Sequence, residues 1–106
     1  MYDIIKVSED FKKNPWGEDD ARIFRDMILI PKLVNCDRGE KVTIDFDDCY
    51  GVSWVFLGEV FGGLISEYGF KKKNILKKIH IISRDDELIH ELIIRYLDRA
   101  EEQLKR

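Results

Sequence analysis

The chain has 106 residues, 44% of them hydrophobic and 37% charged, with a formal net charge of −3. That length suits one domain with one modest core, and its acidic balance speaks against a general nucleic-acid binder, which needs a basic face for phosphates. No apolar run approaches the ~20 residues of a membrane span, and the start, Met1-Tyr2-Asp3, has neither the basic residues nor the apolar stretch of a signal peptide.

The elements alternate between extended and helical patterns, which indicates an α/β layer fold. Tyr2 to Val7 reads as a short strand, and Phe11 to Gly17, with Asn14-Pro15, as a loop. Glu18-Asp19-Asp20 suits a helix N-terminus, where carboxylates oppose the positive end of the dipole. That helix runs through Ala21, Phe24, Met27 and Ile28 until Pro31 kinks or ends it. Asp37-Arg38-Gly39-Glu40 is a turn. Val42 to Phe46, rich in β-branched residues, is a buried strand placed centrally in the sheet. The loop Asp47 to Gly51 follows. A second helix begins near Ser53, a good N-cap, and carries Phe56, Leu57, Val60, Phe61, Leu64, Ile65 and Tyr68 on one face up to a stop at Gly69. Lys71 to Lys73 fall in a connection, and Lys78 to Ile82 form the last strand. Ser83 and Asp86 resemble a capping box for a final helix. Its stripe is Leu88, Ile89, Leu92, Ile93, Tyr96, Leu97, Ala100 and Leu104, long enough to cover a sheet face, and Lys105 and Arg106 suit its negative end.

Strands separated by helices run parallel through right-handed crossovers. In such sheets, contacts gather beyond the carboxyl ends of the strands. The segment Asp47 to Trp54 is therefore the expected working edge.

Catalytic readings find little support. Gly62-Gly63 lies inside a helix, away from any strand-to-helix junction, so it is no phosphate loop; with Gly58 it forms a strip for close helix packing. His80 and His90 have no second metal ligand at helical spacing. Ser53, Cys36 and Cys49 are not paired with a base. The two cysteines also lack a CxxC or a metal-ligand spacing, and read as reduced thiols of a cytoplasmic protein. Asp45, Asp47 and Asp48 present oxygen ligands that suit Mg²⁺, or are solvated turn residues. Lys71 to Lys73 with Lys77 and Lys78 form a basic patch able to meet an acidic partner. Tyr50 and Trp54 flank the start of the second helix outside its apolar stripe, where an exposed aromatic serves as a binding anchor and a folded-back one covers the core.

The stretch 17–25, with Leu29-Ile30-Pro31-Lys32-Leu33, resembles the first-helix motif of bacterial STAS-like domains of unknown function. Val42 to Asp47, Tyr50-Gly51, Phe56-Leu57, Glu59 and Phe61-Gly62-Gly63-Leu64 are similar to that family's central motif. The resemblance implies one STAS-like domain over 1–106, with a small, mostly parallel or mixed sheet of three to four strands packed against three main helices. It further implies a regulatory binding module, with a histidine-kinase-type ATPase as partner. In STAS antagonists of anti-sigma factors, such a partner phosphorylates a serine at the start of the helix after the central strand. Here Val55 and Trp54 precede Phe56, and only Ser53 remains, displaced toward the loop.

The sequence therefore indicates a non-enzymatic regulatory protein–protein interaction module with no cofactor. Its expected partner-binding residues are Asp47, Asp48, Tyr50, Gly51, Ser53 and Trp54, with Ser53 the one candidate for phosphorylation. The alternatives are a small metal- or nucleotide-binding protein that uses Asp45, Asp47 and Asp48, and a DNA-associated regulator, as a dimer, that uses Lys71 to Lys78.

Overall fold

Three strands of four residues each form the platform for everything else: β1 (Asp3–Lys6), β2 (Val42–Asp45) and β3 (Ile79–Ile82). A computed structural model describes residues 3–37 and 39–105. Tyr2 of the expected first strand, Arg38 of the expected turn and Arg106 at the expected helix end lie outside the described residues. The strands pair in parallel in the order β1-β2-β3, with Ile5 opposite Ile44 and Ile44 opposite Ile81. These three isoleucines are buried, whereas in the next row Ile4 is 59% exposed and His80 is exposed. Side chains alternate across a strand, so one sheet face carries the core and the other is open. Because strand order follows chain order, the sheet has no reversal point at which neighbouring crossovers would diverge and open a crevice.

The core-side layer holds α2 (Glu18–Ile23), a π-helical segment (Phe24–Leu29), α3 (Ile30–Val34), α4 (Trp54–Ser66) and α6 (Leu88–Leu104). Two short helices complete the chain, α1 (Val7–Asp10) and α5 (Lys72–Lys78). The expected loop residue Phe11 packs with Phe24 and Phe56, ring centroids 5.5–6.2 Å apart. Pro31 neither ends nor breaks the first long helix. The preceding turn widens instead, with Ile30 N–H donating to the Arg25 carbonyl five residues back. Pro31 thus falls in the first turn of α3, where a missing N–H costs least.

Helix α4 lies in the middle, packed on α6 along one side and on α2 along another. Its glycines serve different neighbours. A Cβ on Gly58 would meet the Tyr96 ring of α6 at 3.3 Å, and one on Gly63 would lie 2.0 Å from Nη1 of Arg25. Arg25 is fully buried in the π segment. It donates to the Glu59 carbonyl, Asp26 and Glu67, each at 2.8 Å, so its charge is paired and its donors are used. Asp26 also accepts from the Tyr68 hydroxyl at 2.7 Å, which takes Tyr68 out of the apolar stripe. Beyond α4, Gly69 N–H donates to the Ile65 carbonyl and Phe70 N–H to the Leu64 carbonyl. The bond from Gly69 is that of an αL stop, and Gly69 adopts the required positive φ of 75°.

Expectations in the second half need correction. Lys72 and Lys73 are helical and Lys78 ends α5, so β3 starts at Ile79. Ser83 does not cap α6: its hydroxyl donates to the Asp86 carbonyl, and the Asp86 carboxylate accepts from Leu88 N–H at 3.1 Å. Helix α6 packs chiefly on α4 rather than across the sheet.

The glycines generate a paired prediction. Gly63→Ala should destabilise by about 2 kcal/mol or more, because the methyl overlaps the buried Arg25 guanidinium, whose displacement would break its bonds to Asp26, Glu59 and Glu67. Gly62, with nothing within 4 Å of an added Cβ, should tolerate alanine and gain about 0.5–1 kcal/mol of helix propensity. Denaturant melts of the two variants check this; equal effects would contradict it.

Candidate functional site

The carboxyl ends of the strands meet the loops 11–17, 47–53 and 83–87. Hydrogen bonds join the first two of these loops. Tyr50 N–H donates to the Lys13 carbonyl at 2.7 Å, Ser53 N–H to the Pro15 carbonyl at 3.2 Å, and the Ser53 hydroxyl to the Trp16 carbonyl. The Ser53 oxygen also accepts from Phe56 N–H at 3.0 Å, the N-cap bond of α4. From the other side, Asp20 of α2 accepts from Trp16 N–H at 3.2 Å and from Lys12 Nζ at 2.8 Å. The Lys12 bond holds the Asp20 carboxyl below its ordinary pKa.

A second clamp joins 47–48 to 84–85. Asp47 Oδ1 accepts from the N–H groups of Arg84 (2.7 Å) and Asp85 (3.1 Å), and its Oδ2 accepts from Arg84 Nε at 2.7 Å. Asp48 N–H donates to Asp85 at 3.0 Å, while its carboxylate pairs with Lys6 at 3.0 Å. Asp48 holds a positive φ of 68°, a conformation that Asp tolerates better than most residues. Asp45 accepts from Asp47 N–H at 2.9 Å, closing a local turn.

The sequence places six residues on the partner edge, and the structure divides them. Tyr50 and Trp54 are 83% and 69% exposed, Asp48 is exposed and Gly51 half-buried. Asp47 and Ser53 are buried and satisfied from within. They hold the edge in shape and do not lie on its surface. The hydroxyl that a kinase would need on Ser53 is likewise enclosed, with both its donor and acceptor roles taken. Sequence reasoning missed Trp16. It is 62% exposed, and its backbone is bound to Ser53, one residue from Trp54. Nothing in the local pattern of 11–17 announces that contact; only the long-range bonds to 50–53 create it.

The other candidates are dispersed. Asp45, Asp47 and Asp48 each serve a different partner, and no three His, Cys, Asp or Glu among the described residues are grouped to hold a metal ion. Cys49 separates two shallow cavities of about 540 and 210 Å³ at this edge. Burial, and then the charges of Asp45 and Asp48, push its thiol up to about 11, so it stays protonated and weakly nucleophilic near neutrality. Cys36 donates to the Glu40 carbonyl at 3.1 Å. His80 and His90 line one small cavity beside β3. Lys72 of the basic patch is tied to Glu101 and Asp98.

The chain belongs to the family described as STAS-like domain of unknown function (DUF4325), whose model matches residues 20–88. That span runs from α2 through β2, α4 and β3 to the first residue of α6, and so contains both the π segment and the Asp47 clamp. Neither curated proteins nor solved structures gave a match. No helix of the described chain is long and apolar enough to cross a membrane.

The Asp47 clamp should respond to acid. The Arg84 hydrogen bond, ahead of the backbone bonds, holds the Asp47 carboxyl below its ordinary pKa in the fold. Such a group contributes its stability fully above the unfolded value of about 4 and loses it as pH falls through the folded value. The melting temperature should therefore drop below about pH 4. Asp47→Asn should melt lower at neutral pH and show a shallower loss in that acid window. An unchanged acid profile in the variant would contradict this role.

Proposed function

We propose that this protein is a regulatory protein–protein interaction module that docks its partner on the edge formed by Trp16, Tyr50 and Trp54. One observation carries the reading: three large aromatic side chains, each more than half exposed, stand on two loops and the first residue of α4, which hydrogen bonds hold together. Exposed aromatics on a rigid frame lose little entropy on binding and bury much apolar area, which is the character of an interface anchor. Asp48 and Lys13 supply polar groups around them, with Lys13 Nζ 5.6 Å from the Tyr50 ring centroid. Family membership supports a module of this kind, and similarity to STAS domains suggests a histidine-kinase-type ATPase as partner, met in the cytoplasm where Cys36 and Cys49 stay reduced. On this reading the chain performs no turnover of its own. Regulation by phosphate on Ser53 would require the α4 cap to open first, so we place the control in the partner.

The test pairs affinity with stability. Trp54→Ala should weaken binding to the proposed histidine-kinase-type ATPase partner by about 2 kcal/mol, roughly thirtyfold. Its melting temperature should stay close to that of the parent, because the ring is mostly in solvent. Trp16→Ala should weaken binding in the same direction. Unchanged affinity in both variants would remove this edge from the interface.

A further inference from the structure

At the far end of α4 from the docking edge lies a cleft of about 650 Å³, bounded by the ends of α4 and α6 and the start of α5. Its apolar walls are Ile65, Phe70, Leu76 and Leu104. Ile65 is buried and Phe70 half-buried, whereas Leu76 and Leu104 are 44% and 58% exposed. Lys71, Lys72, Lys73 and Lys105 complete the charged part of the lining with Glu101. A lysine stem extends an apolar wall while its ammonium group stays in water. The acidic groups nearby are already engaged. Glu101 accepts from Lys72 N–H at 2.8 Å, and Asp98 pairs with Lys72 Nζ. Glu67, which precedes the cleft in the chain, serves Arg25, and Glu102 does not line it. Lys71, Lys73 and Lys105 have no acidic partner among the described residues. No acidic residue occurs between Tyr68 and Arg84, in a chain whose net charge is −3.

We propose that this cleft binds a single-chain amphiphile, an acyl tail that ends in an anionic head. The tail lies along Ile65, Phe70, Leu76 and Leu104, and the head meets the ammonium groups of Lys71, Lys73 and Lys105. Size, composition and charge together select this occupant. The volume falls in the range of small-ligand sites, roughly 300–1,000 Å³. The centres of protein interfaces favour aromatic residues and arginine and are depleted in lysine. Here every cation of the lining is a lysine, in contrast to the aromatic docking edge. A nucleic-acid strand would set polar sugar and phosphate against four apolar residues and find one half-buried ring, Phe70, on which to stack a base. A small inorganic anion would leave Leu76 and Leu104 in water, and a neutral apolar ligand would leave the lysines unused. A tail with an anionic head answers both halves of the lining. None of these residues belongs to the Trp16, Tyr50 and Trp54 edge, so the proposal stands or falls independently of the docking reading.

Isothermal titration of the full chain with decanoate, below the concentration at which it forms micelles, tests the site. The parent should bind it saturably. Acetate, which has the head without the tail, and decanol, which has the tail without the head, should each bind about tenfold more weakly or worse. Lys73→Glu/Lys105→Glu should weaken decanoate binding by about tenfold or more, because both cations become repulsive to the head. Lys73→Arg/Lys105→Arg should retain it. Leu104→Glu, at an exposed position near the end of α6, should also weaken it, through the tail. Circular dichroism checks that each variant is folded. Cosedimentation with phosphatidylglycerol vesicles separates the two sources of this chemistry. Vesicle binding that the charge-reversed pair and Leu104→Glu both lose assigns a bilayer lipid; decanoate binding that they lose, without such vesicle binding, assigns a free amphiphile. A parent that binds neither probe, binding that survives both disruptive variants, or acetate or decanol bound as tightly as decanoate would overturn the proposal.

Discussion

The burial of α4 is the constraint on which the rest of the structure depends. A helix with neighbours on two sides and a sheet beneath it cannot carry an ordinary side chain at every position. At Gly63 the opening admits the guanidinium of Arg25, whose bond to the Glu59 carbonyl reaches into the backbone of α4 itself. At Gly58 the opening admits the Tyr96 ring from the opposite side. The two contacts lock the first and last long helices onto the middle one. The widened π turn around Arg25 belongs to the same arrangement: it lets the chain pass Pro31 without breaking the helix that carries the arginine.

The start of α4 links this packing to the exposed edge. Ser53 caps the helix and, through the same oxygen, holds the Trp16 carbonyl. The frame that positions Trp16 and Trp54 is thus an extension of the helix cap. Asp47 performs the parallel task on the other side by fixing 47–48 against 84–85. Polar groups that look like surface chemistry in the sequence are spent on building the edge, and the aromatic rings are what it displays.

Much of the fold was legible from local pattern. The β-branched run at Val42, the helical stripe from Phe56 and the stop at Gly69 each arise from short-range preferences that tertiary packing reinforces. The central place of β2 followed from its β-branched residues, which suit a buried strand. What stayed hidden depends on distant partners. Arg25 looks like an ordinary surface arginine until Gly63, well over thirty residues away, is brought against it. Pro31 suggests a helix end because the relief offered by a π turn has no sequence mark. The lysine run at 71–73 reads as a connection, yet the Lys72 N–H is held by Glu101 of α6 and α5 forms there. Within the candidate site, Tyr50 and Trp54 stood out through their position at a loop–helix junction. Asp47, Ser53 and Trp16 took their places from hydrogen bonds across the fold.

The aromatic edge of Trp16, Tyr50 and Trp54 is the proposed contact surface. Hydrogen–deuterium exchange on this protein, alone and with the proposed histidine-kinase-type ATPase partner added, tests it most directly. Slowed exchange should concentrate in 11–17 and 48–56 while β3 and α5 keep their free-state rates. Protection confined to other segments, or no protection at saturating partner, would contradict the account.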